Sequence, residues 1–263
     1  MSDNKRRILI TGATSGLGKE MAIQLGQQGF RIAITGRRES FLSETASQIE
    51  KMGGEVLPLM GSVTDITVVQ RHYAEIKTKW GGLDWAILNA GIAETMDTKH
   101  LSPGYYKRIF ETNVLGVTNW MEAVLGDMLT ARSGVIVGIA SLAAFRGFPQ
   151  SGAYCASKTA LITLLESSRV DLYGTGVDVV IVCPGFVKSE MTDRHDPKTM
   201  LFLMETKAGA ACILRGIERR CRRVYFPWQL SLLTRYLVRF LPDCLYDRLA
   251  ARILKKRQGV RPK

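Results

Sequence analysis

Several things are scarce in this chain of 263 residues. It has only 3 histidines and 5 cysteines. His72, His100 and His195 are scattered. The cysteines at 155, 183, 212, 221 and 244 form no C-x-x-C pair and have no histidine partnering. A metal centre needs several such ligands at recurring spacings, so no metal site is supported. An odd cysteine count, with MSDNKRR leading straight into an apolar segment instead of a secretory one, points to reduced thiols in a cytoplasmic setting. No apolar run reaches the ~18–20 residues that span a bilayer. Linkers, internal repeats and low-complexity stretches are missing as well. At 46% hydrophobic residues, this length suits one α/β domain able to bury a full core.

What is present alternates. Strand-like runs at 7–11, 31–35, 55–60, 83–88, 134–140, 177–183 and about 223–226 are separated by helical patterns. The helical stretches fall near 17–28, 39–52, 66–79, 104–131, 152–173 and 207–220. Such alternation predicts a single doubly wound parallel sheet, Rossmann-like, with helices on both faces.

Two segments carry chemistry. In GIASLAAFRGFPQSGAYCASKTALITLL, a buried strand ends at Ser141 and a helix begins near Gly152. Tyr154 and Lys158, four apart, share one helix face. A cation beside a phenol favours the phenolate, which matters because a free tyrosine titrates near ~10. Ser141 adds a hydroxyl that could hold a substrate oxygen against the tyrosine. Alone, Y-x-x-x-K is weak, because two surface residues often fall at that spacing.

The second segment is RILITGATSGLG at residues 7–18. A short strand enters a glycine-rich turn, Thr11 to Gly18, and a helix follows with Leu17, Met21 and Leu25 at spacings of four. The glycines let backbone approach a pyrophosphate, and the helix N-terminus favours its negative charge. The spacing is G-x-x-x-G-x-G, not G-x-G-x-x-G.

Together, Thr11 to Gly18, Asn89-Ala90-Gly91, Asn113, Ser141, Tyr154, Lys158 and Pro184-Gly185 resemble the short-chain dehydrogenase/reductase family in order and spacing, over roughly residues 7 to 226. The resemblance implies a catalytic set of Asn113, Ser141, Tyr154 and Lys158. Tyr154 would be the general acid in ketone reduction and the base in alcohol oxidation. Lys158 would lower the tyrosine pKa and hold the nicotinamide ribose. Ser141 would orient the carbonyl, and Asn113 would hold a water linking Lys158 to solvent.

The same resemblance implies a cofactor-binding set. Gly12, Thr14, Ser15, Gly16, Leu17 and Gly18 would hold the phosphates. Asn89, Ala90 and Gly91 would line the adenosine ribose side, and Ser62 and Val63 the adenine. Pro184, Gly185, Val187 and Ser189 would border the nicotinamide. Three positions depart from the family pattern. Leu88 stands where an asparagine is frequent, Ser62 where an acid usually meets the adenine, and Ser189 where a threonine is usual.

NAD enzymes usually carry an acid at the end of the second strand, bonded to the ribose 2′-hydroxyl. Here that position is Gly36, followed by Arg37 and Arg38. Guanidinium binds a 2′-phosphate bidentately where a carboxylate would repel it. The expected cofactor is therefore NADP(H) in preference to NAD(H), with Arg37 the main phosphate ligand and Arg38 the next. The loop at 186–206, after Pro184, holds Met191, Met200, Leu201, Phe202, Leu203 and Met204 and predicts an adaptable apolar substrate pocket.

The net charge of +12 is concentrated at one end. Residues 213–263 hold fourteen Lys or Arg against three acids, which leaves the other 212 residues almost neutral. Residues 228–263 read as a basic amphipathic helical extension of the same globular unit as the dinucleotide-binding domain, 1–227. One helical pattern carries Leu230, Leu233, Leu237, Phe240 and Leu241. A second starts after Pro242 with Asp243 as N-cap and carries Leu245, Tyr246, Leu249, Ile253 and Leu254. Three readings stand. The extension lies on an anionic membrane surface, peripheral to the inner face. It packs on the domain or forms a homo-oligomer contact, as a dimer or tetramer. Or it meets nucleic acid, which the lack of interleaved aromatic platforms disfavours.

The expected activity is hydride transfer between nicotinamide and a carbonyl or secondary alcohol of an apolar, lipid-like small molecule. The alternative is a non-catalytic dinucleotide-binding regulator, or a membrane-associated interaction protein, on the same fold. A pure binder has no need of Ser141 or Asn113.

Overall fold

A computed structural model describes residues 5–193 and 200–257. His195, the centre of the expected substrate loop (194–199), and the last residues of the basic end (258–263) lie outside them. Seven strands form one parallel sheet in the order β3-β2-β1-β4-β5-β6-β7. They are β1 (Arg7–Thr11), β2 (Arg31–Gly36), β3 (Glu55–Met60), β4 (Trp85–Leu88), β5 (Gly134–Ile139), β6 (Val177–Pro184) and β7 (Arg223–Phe226). Both faces are covered by helices, as the alternating pattern predicts.

Period-two alternation explains the layering. Ile8 and Ile10 of β1, with Ile32 and Ile34 of β2, point into one core. That core meets α1 (Gly16–Gly26), α2 (Glu39–Lys51) and α7 (Thr206–Glu218). Leu9 and Ala33, between them in sequence, point into the other. This second core is filled from α3 (Ile66–Trp80), α5 (Gly116–Ala131) and α6 (Gly152–Asp171). Cys155 and Cys183 are both buried.

Strand order reverses between β1 and β4. In sheets of this kind, ligands bind outside the carboxyl ends of strands at such a switch point. The glycine-rich loop leaves the end of β1 there, and Asn89-Ala90-Gly91 leaves the end of β4. Thr11 ties the two loops together, its hydroxyl accepting from the Asn89 N–H (2.9 Å) and the Ala90 N–H (3.0 Å).

The single helix expected over 104–131 is three pieces. Helix α4 (Pro103–Phe110) leads through a π turn, Glu111–Leu115, into α5. A π turn is read from hydrogen bonds, not from apolar spacing, and such turns recur at functional sites. This one carries Asn113, fully buried.

Beyond β7, helix α8 (Trp228–Leu232) continues as a π turn (Leu233–Val238), and α9 spans Asp243–Arg257. Asp243 is the first residue of α9, not its cap, and pairs with Arg146 at 2.5 Å. Among the described residues, no helix is long and apolar enough to cross a membrane.

Candidate active site

The glycine-rich loop is built by steric demand. Gly12 (φ +68°) and Gly16 (φ +55°) occupy the left-handed region, which favours glycine. A Cβ on Gly12 would also lie 2.8 Å from Ala90 Cα. Behind them, a Cβ on Gly18 would meet the Gly12 carbonyl oxygen at 2.3 Å, so α1 packs directly on the turn. Ser15 caps α1 without a side-chain hydrogen bond, leaving the first-turn amides to an anion. Leu17, partly buried, packs into the core beneath α1. Glycine backbone, helix terminus and switch point fit the pyrophosphate of a dinucleotide.

At the next corner, Gly36 ends β2. A Cβ there would fall 2.3 Å from Thr14 Cγ2, so a side chain at the position that carries an acid in many NAD enzymes would have to displace the Thr14 methyl. Arg38 Nη2 donates to Thr14 Oγ1 (3.2 Å), and its guanidinium stacks on Phe41 at 4.3 Å. Its Nη1 lies 2.9 Å from the Glu190 carboxylate, in the loop after β6. Arg37 is exposed beside it. The structure thus places Arg38 on the glycine loop and leaves Arg37 turned to solvent. Glu190 had no local sequence signal, because its partner is 152 residues away.

Where the adenine is expected, Val63 is buried and accepts at its carbonyl from Asn119 Nδ2 (2.9 Å). The Ser62 hydroxyl lies 2.8 Å from that of Thr64 and closes its own turn. Leu88 is core-buried in β4, which accommodates the apolar departure from the family pattern. Asn89 Nδ2 donates to the Thr11 and Gly12 carbonyls at 3.0 and 3.2 Å.

The candidate chemical centre, built on Ser141, Tyr154 and Lys158, lies at the ends of β4, β5 and β6. Lys158 is only 4% exposed, with Nζ 5.9 Å from the Tyr154 ring centroid. Its ammonium donates to the Ile139 carbonyl at 2.7 Å. Burial pulls the Lys158 pKa down to about 8, against a small upward pull from Cys183. Burial likewise holds Tyr154 above its ordinary value, opposed by a hydrogen bond with Ser141. The sequence predicted a tyrosine made more acidic by its lysine. The structure differs because the packing that brings the pair together also strips water from both charges. Ser141 Oγ additionally accepts from the Ala143 N–H (3.1 Å), which fixes the hydroxyl at the mouth of β5.

Asn113 meets this centre through Gly91. A Cβ on Gly91 would sit 3.2 Å from Asn113 Oδ1 and 3.3 Å from Lys158 Nζ, so a side chain there would crowd both groups. The Asn113 amide is otherwise engaged. Its oxygen accepts from the Ile92 N–H (2.8 Å), and its nitrogen donates to the Ile92 carbonyl and to Ser157 Oγ, each at 3.0 Å. The side chain is thus clamped to the loop after β4. Ser157, which sequence reasoning passed over, completes the clamp.

Beyond β6, Gly185 donates its N–H to the Phe226 carbonyl (2.7 Å). A Cβ there would meet Leu230 Cδ2 at 2.7 Å, so the Pro184-Gly185 turn is roofed by α8. Val187 is buried and bridges to Met204. Ser189 packs toward the glycine loop, its Cβ 3.3 Å from where a Gly16 Cβ would stand. Met200 is buried, whereas Met191, Leu201 and Phe202 are exposed. Opposite, Ile92, Met96, Tyr105 and Tyr106 cluster with Ala153, one residue before Tyr154.

Comparison with known proteins gives a consistent picture. Residues 6–199 match the short chain dehydrogenase family. An uncharacterized oxidoreductase of Myxococcus xanthus is 40% identical over 94% of this chain and 97% of its own. A 3-oxoacyl-[acyl-carrier-protein] reductase of Staphylococcus aureus is 30% identical over 70% of this chain and 76% of its own. The crystal structure of a levodione reductase shares the fold, with a TM-score of 0.79 at 23% identity, covering 86% of this chain and 97% of that one.

Proposed function

The chain belongs to the short-chain dehydrogenase family and is an NAD(P)-dependent oxidoreductase acting at C=O and CH–OH groups, and we propose that it reduces an apolar, lipid-like ketone with NADPH through Tyr154. The observation that carries this reading is the convergence of Ser141, Tyr154 and Lys158. One hydroxyl hydrogen-bonds the phenol, and one buried ammonium lies over its ring. When bound, the nicotinamide supplies or takes the hydride.

In this reading, Ser141 orients the substrate oxygen and Tyr154 donates its proton to it. A Tyr154 pKa held above the ordinary value keeps that proton in place at neutral pH. Lys158 holds the nicotinamide ribose hydroxyls. Its pKa of about 8 makes it able to pass a proton to the spent phenolate near neutrality. Asn113 holds the loop after β4, and with it the route by which Lys158 is resupplied. In the oxidation direction, Tyr154 is the base.

NADP(H) preference rests on the lack of an acidic side chain at Gly36, the open guanidinium of Arg37 and the placement of Arg38 on Thr14. An apolar substrate is supported by the methionine-rich loop after β6 and by the aromatic cluster beside Ala153. The relative named as a 3-oxoacyl reductase agrees with a carbonyl in an acyl-like setting. We place the enzyme in a reducing, cytoplasmic compartment, because its five cysteines are free. We also propose a homo-oligomer, since Val170 and Tyr173 near the end of α6 are 70% and 86% exposed.

A panel of aliphatic and cyclic ketones with NADPH, followed at the cofactor absorbance, tests the activity. Turnover by wild type and none by Tyr154→Phe is the expected result. Cofactor binding without turnover of any ketone or alcohol would replace it with the regulator reading.

A further inference from the structure

The reductase reading leaves the C-terminal arm unused. In the stretch 228–240, Trp228, Leu232, Tyr236 and Phe240 recur every four residues and are 67%, 49%, 59% and 72% exposed. The opposite side of the same stretch is buried through Leu230, Ser231 and Thr234. Helix α9 adds exposed Leu245 and Leu249. Large apolar side chains in a contiguous stripe mark an interaction surface. Tryptophan and tyrosine are the residues that settle where one side is apolar and the other wet.

Charge selects the partner. Residues 219–242 contain six arginines and no acid. Arg239, Arg248 and Arg252 are exposed among the apolar residues. Of the two acids in the start of α9, Asp243 is already paired with Arg146, leaving Asp247. A second copy docking by this face would do so isologously, setting these arginines against themselves. An anionic bilayer satisfies both features: headgroups take the guanidinium groups, and the headgroup–acyl boundary takes the stripe.

We propose that the exposed face of residues 228–252 docks on an anionic lipid surface. The face adjoins the chemical centre. Leu230, on the inner side of the stripe, packs on Gly185. Arg239 lies over Phe145, and the Tyr246 hydroxyl donates to the Gly147 carbonyl, both in the segment after Ser141. Docking therefore sets the substrate mouth at the lipid boundary, and this delivery role, unlike the binding itself, rests on the reductase reading.

The test is co-sedimentation of the full chain with phosphatidylcholine vesicles, with and without phosphatidylglycerol, at low and raised salt. Trp228 is an internal reporter, because Trp80, Trp85 and Trp120 are buried. Binding to phosphatidylglycerol vesicles, with a blue shift that Trp228→Phe abolishes, is expected. Replacing Arg239, Arg248 and Arg252 together by Gln should lower partitioning roughly a hundredfold. The triple Leu232→Ser, Tyr236→Ser, Phe240→Ser should remove binding with the melting temperature and oligomeric state unchanged. Both triples should keep turnover of a water-soluble ketone, so loss of binding is read apart from loss of catalysis. No binding by wild type, or wild-type binding retained by either triple, overturns the proposal. A shift in oligomeric state in the apolar triple, or tighter binding to duplex RNA than to the vesicles, overturns it in favour of a protein or nucleic-acid face.

Discussion

Lys158 permits a quantitative prediction that needs no substrate. Burial brings its pKa to about 8 in the folded chain, from 10.5 for the free group. Below pH 8 the group is charged in both states, and the folded state bears the full cost of an ammonium out of water. Between about 8 and 10.5 it is neutral when folded but still charged when unfolded. The unfolded chain then binds more protons, so stability must rise with pH across that window. The full shift corresponds to about 3 kcal/mol, and the part recovered between pH 7 and pH 9.5 to about 2 kcal/mol. Other groups titrate there too, including Cys183, whose thiol burial pushes up to about 12. Comparison with Lys158→Met cancels them, apart from the share of the Cys183 shift that Lys158 itself causes. The assay is urea unfolding of both proteins, without cofactor, at the two pH values. Wild type should gain about 2 kcal/mol relative to Lys158→Met on going to pH 9.5. A flat difference, or a wild type that loses ground, would refute the buried, proton-releasing lysine.

Tyr154→Phe should lower turnover by at least the ~10²–10⁴-fold typical of lost acid–base catalysis while leaving NADPH fluorescence titration nearly unchanged. Arg37→Ala should lose about tenfold or more in affinity for NADP(H) but little for NAD(H), from the worth of one charge-assisted contact of about 1.5–3 kcal/mol. Glu190→Gln should move NADP(H) affinity upward by up to about fivefold, because it frees Arg38 from an exposed ion pair worth ~0–1 kcal/mol; competitive titration of the two cofactors reads both variants. Asn113→Ala strands the part-buried Ile92 N–H and should cost about 1–3 kcal/mol in chemical unfolding, with activity falling even at temperatures where the variant is folded.

The fold was legible because its signals are local and redundant. Each strand is a short apolar run ended by a glycine or polar turn, and β1, β3 and β7 begin and end where the pattern places them. The π turn at 111–115 was not legible, since ETNVL carries apolar spacing compatible with an uninterrupted helix. Candidate site residues on glycine turns were legible for the same steric reason that makes them glycines: Gly12 has a positive φ and no space for a Cβ, and a Cβ on Gly91 would crowd Asn113 and Lys158. What escaped were long-range polar partners. Ser157 reads as a small residue before a lysine, and only the fold sets it 3.0 Å from an amide 44 positions earlier. Glu190 reads as a solvated acid until the loop after β6 meets Arg38.

The direction of the tyrosine shift shows why charge spacing in a sequence is an incomplete guide to chemistry. An i,i+4 lysine does lie over the Tyr154 ring, but coupling between charges and loss of hydration grow together as a pair is buried. Among the described residues, Lys158 donates a hydrogen bond to the Ile139 carbonyl, and Tyr154 has the Ser141 hydroxyl. Neither contact outweighs desolvation, so the folded chain holds a neutral phenol beside an ammonium that gives up its proton easily. That combination suits the proton donation proposed for Tyr154 at neutral pH, in which the phenol would carry a proton before each turnover and recover one afterwards. It also ties the site to stability. Replacing the Lys158 ammonium by an apolar group relieves a desolvation cost and, in the proposed mechanism, removes the proton source in the same step, so a gain in stability at this position is expected to come with loss of function.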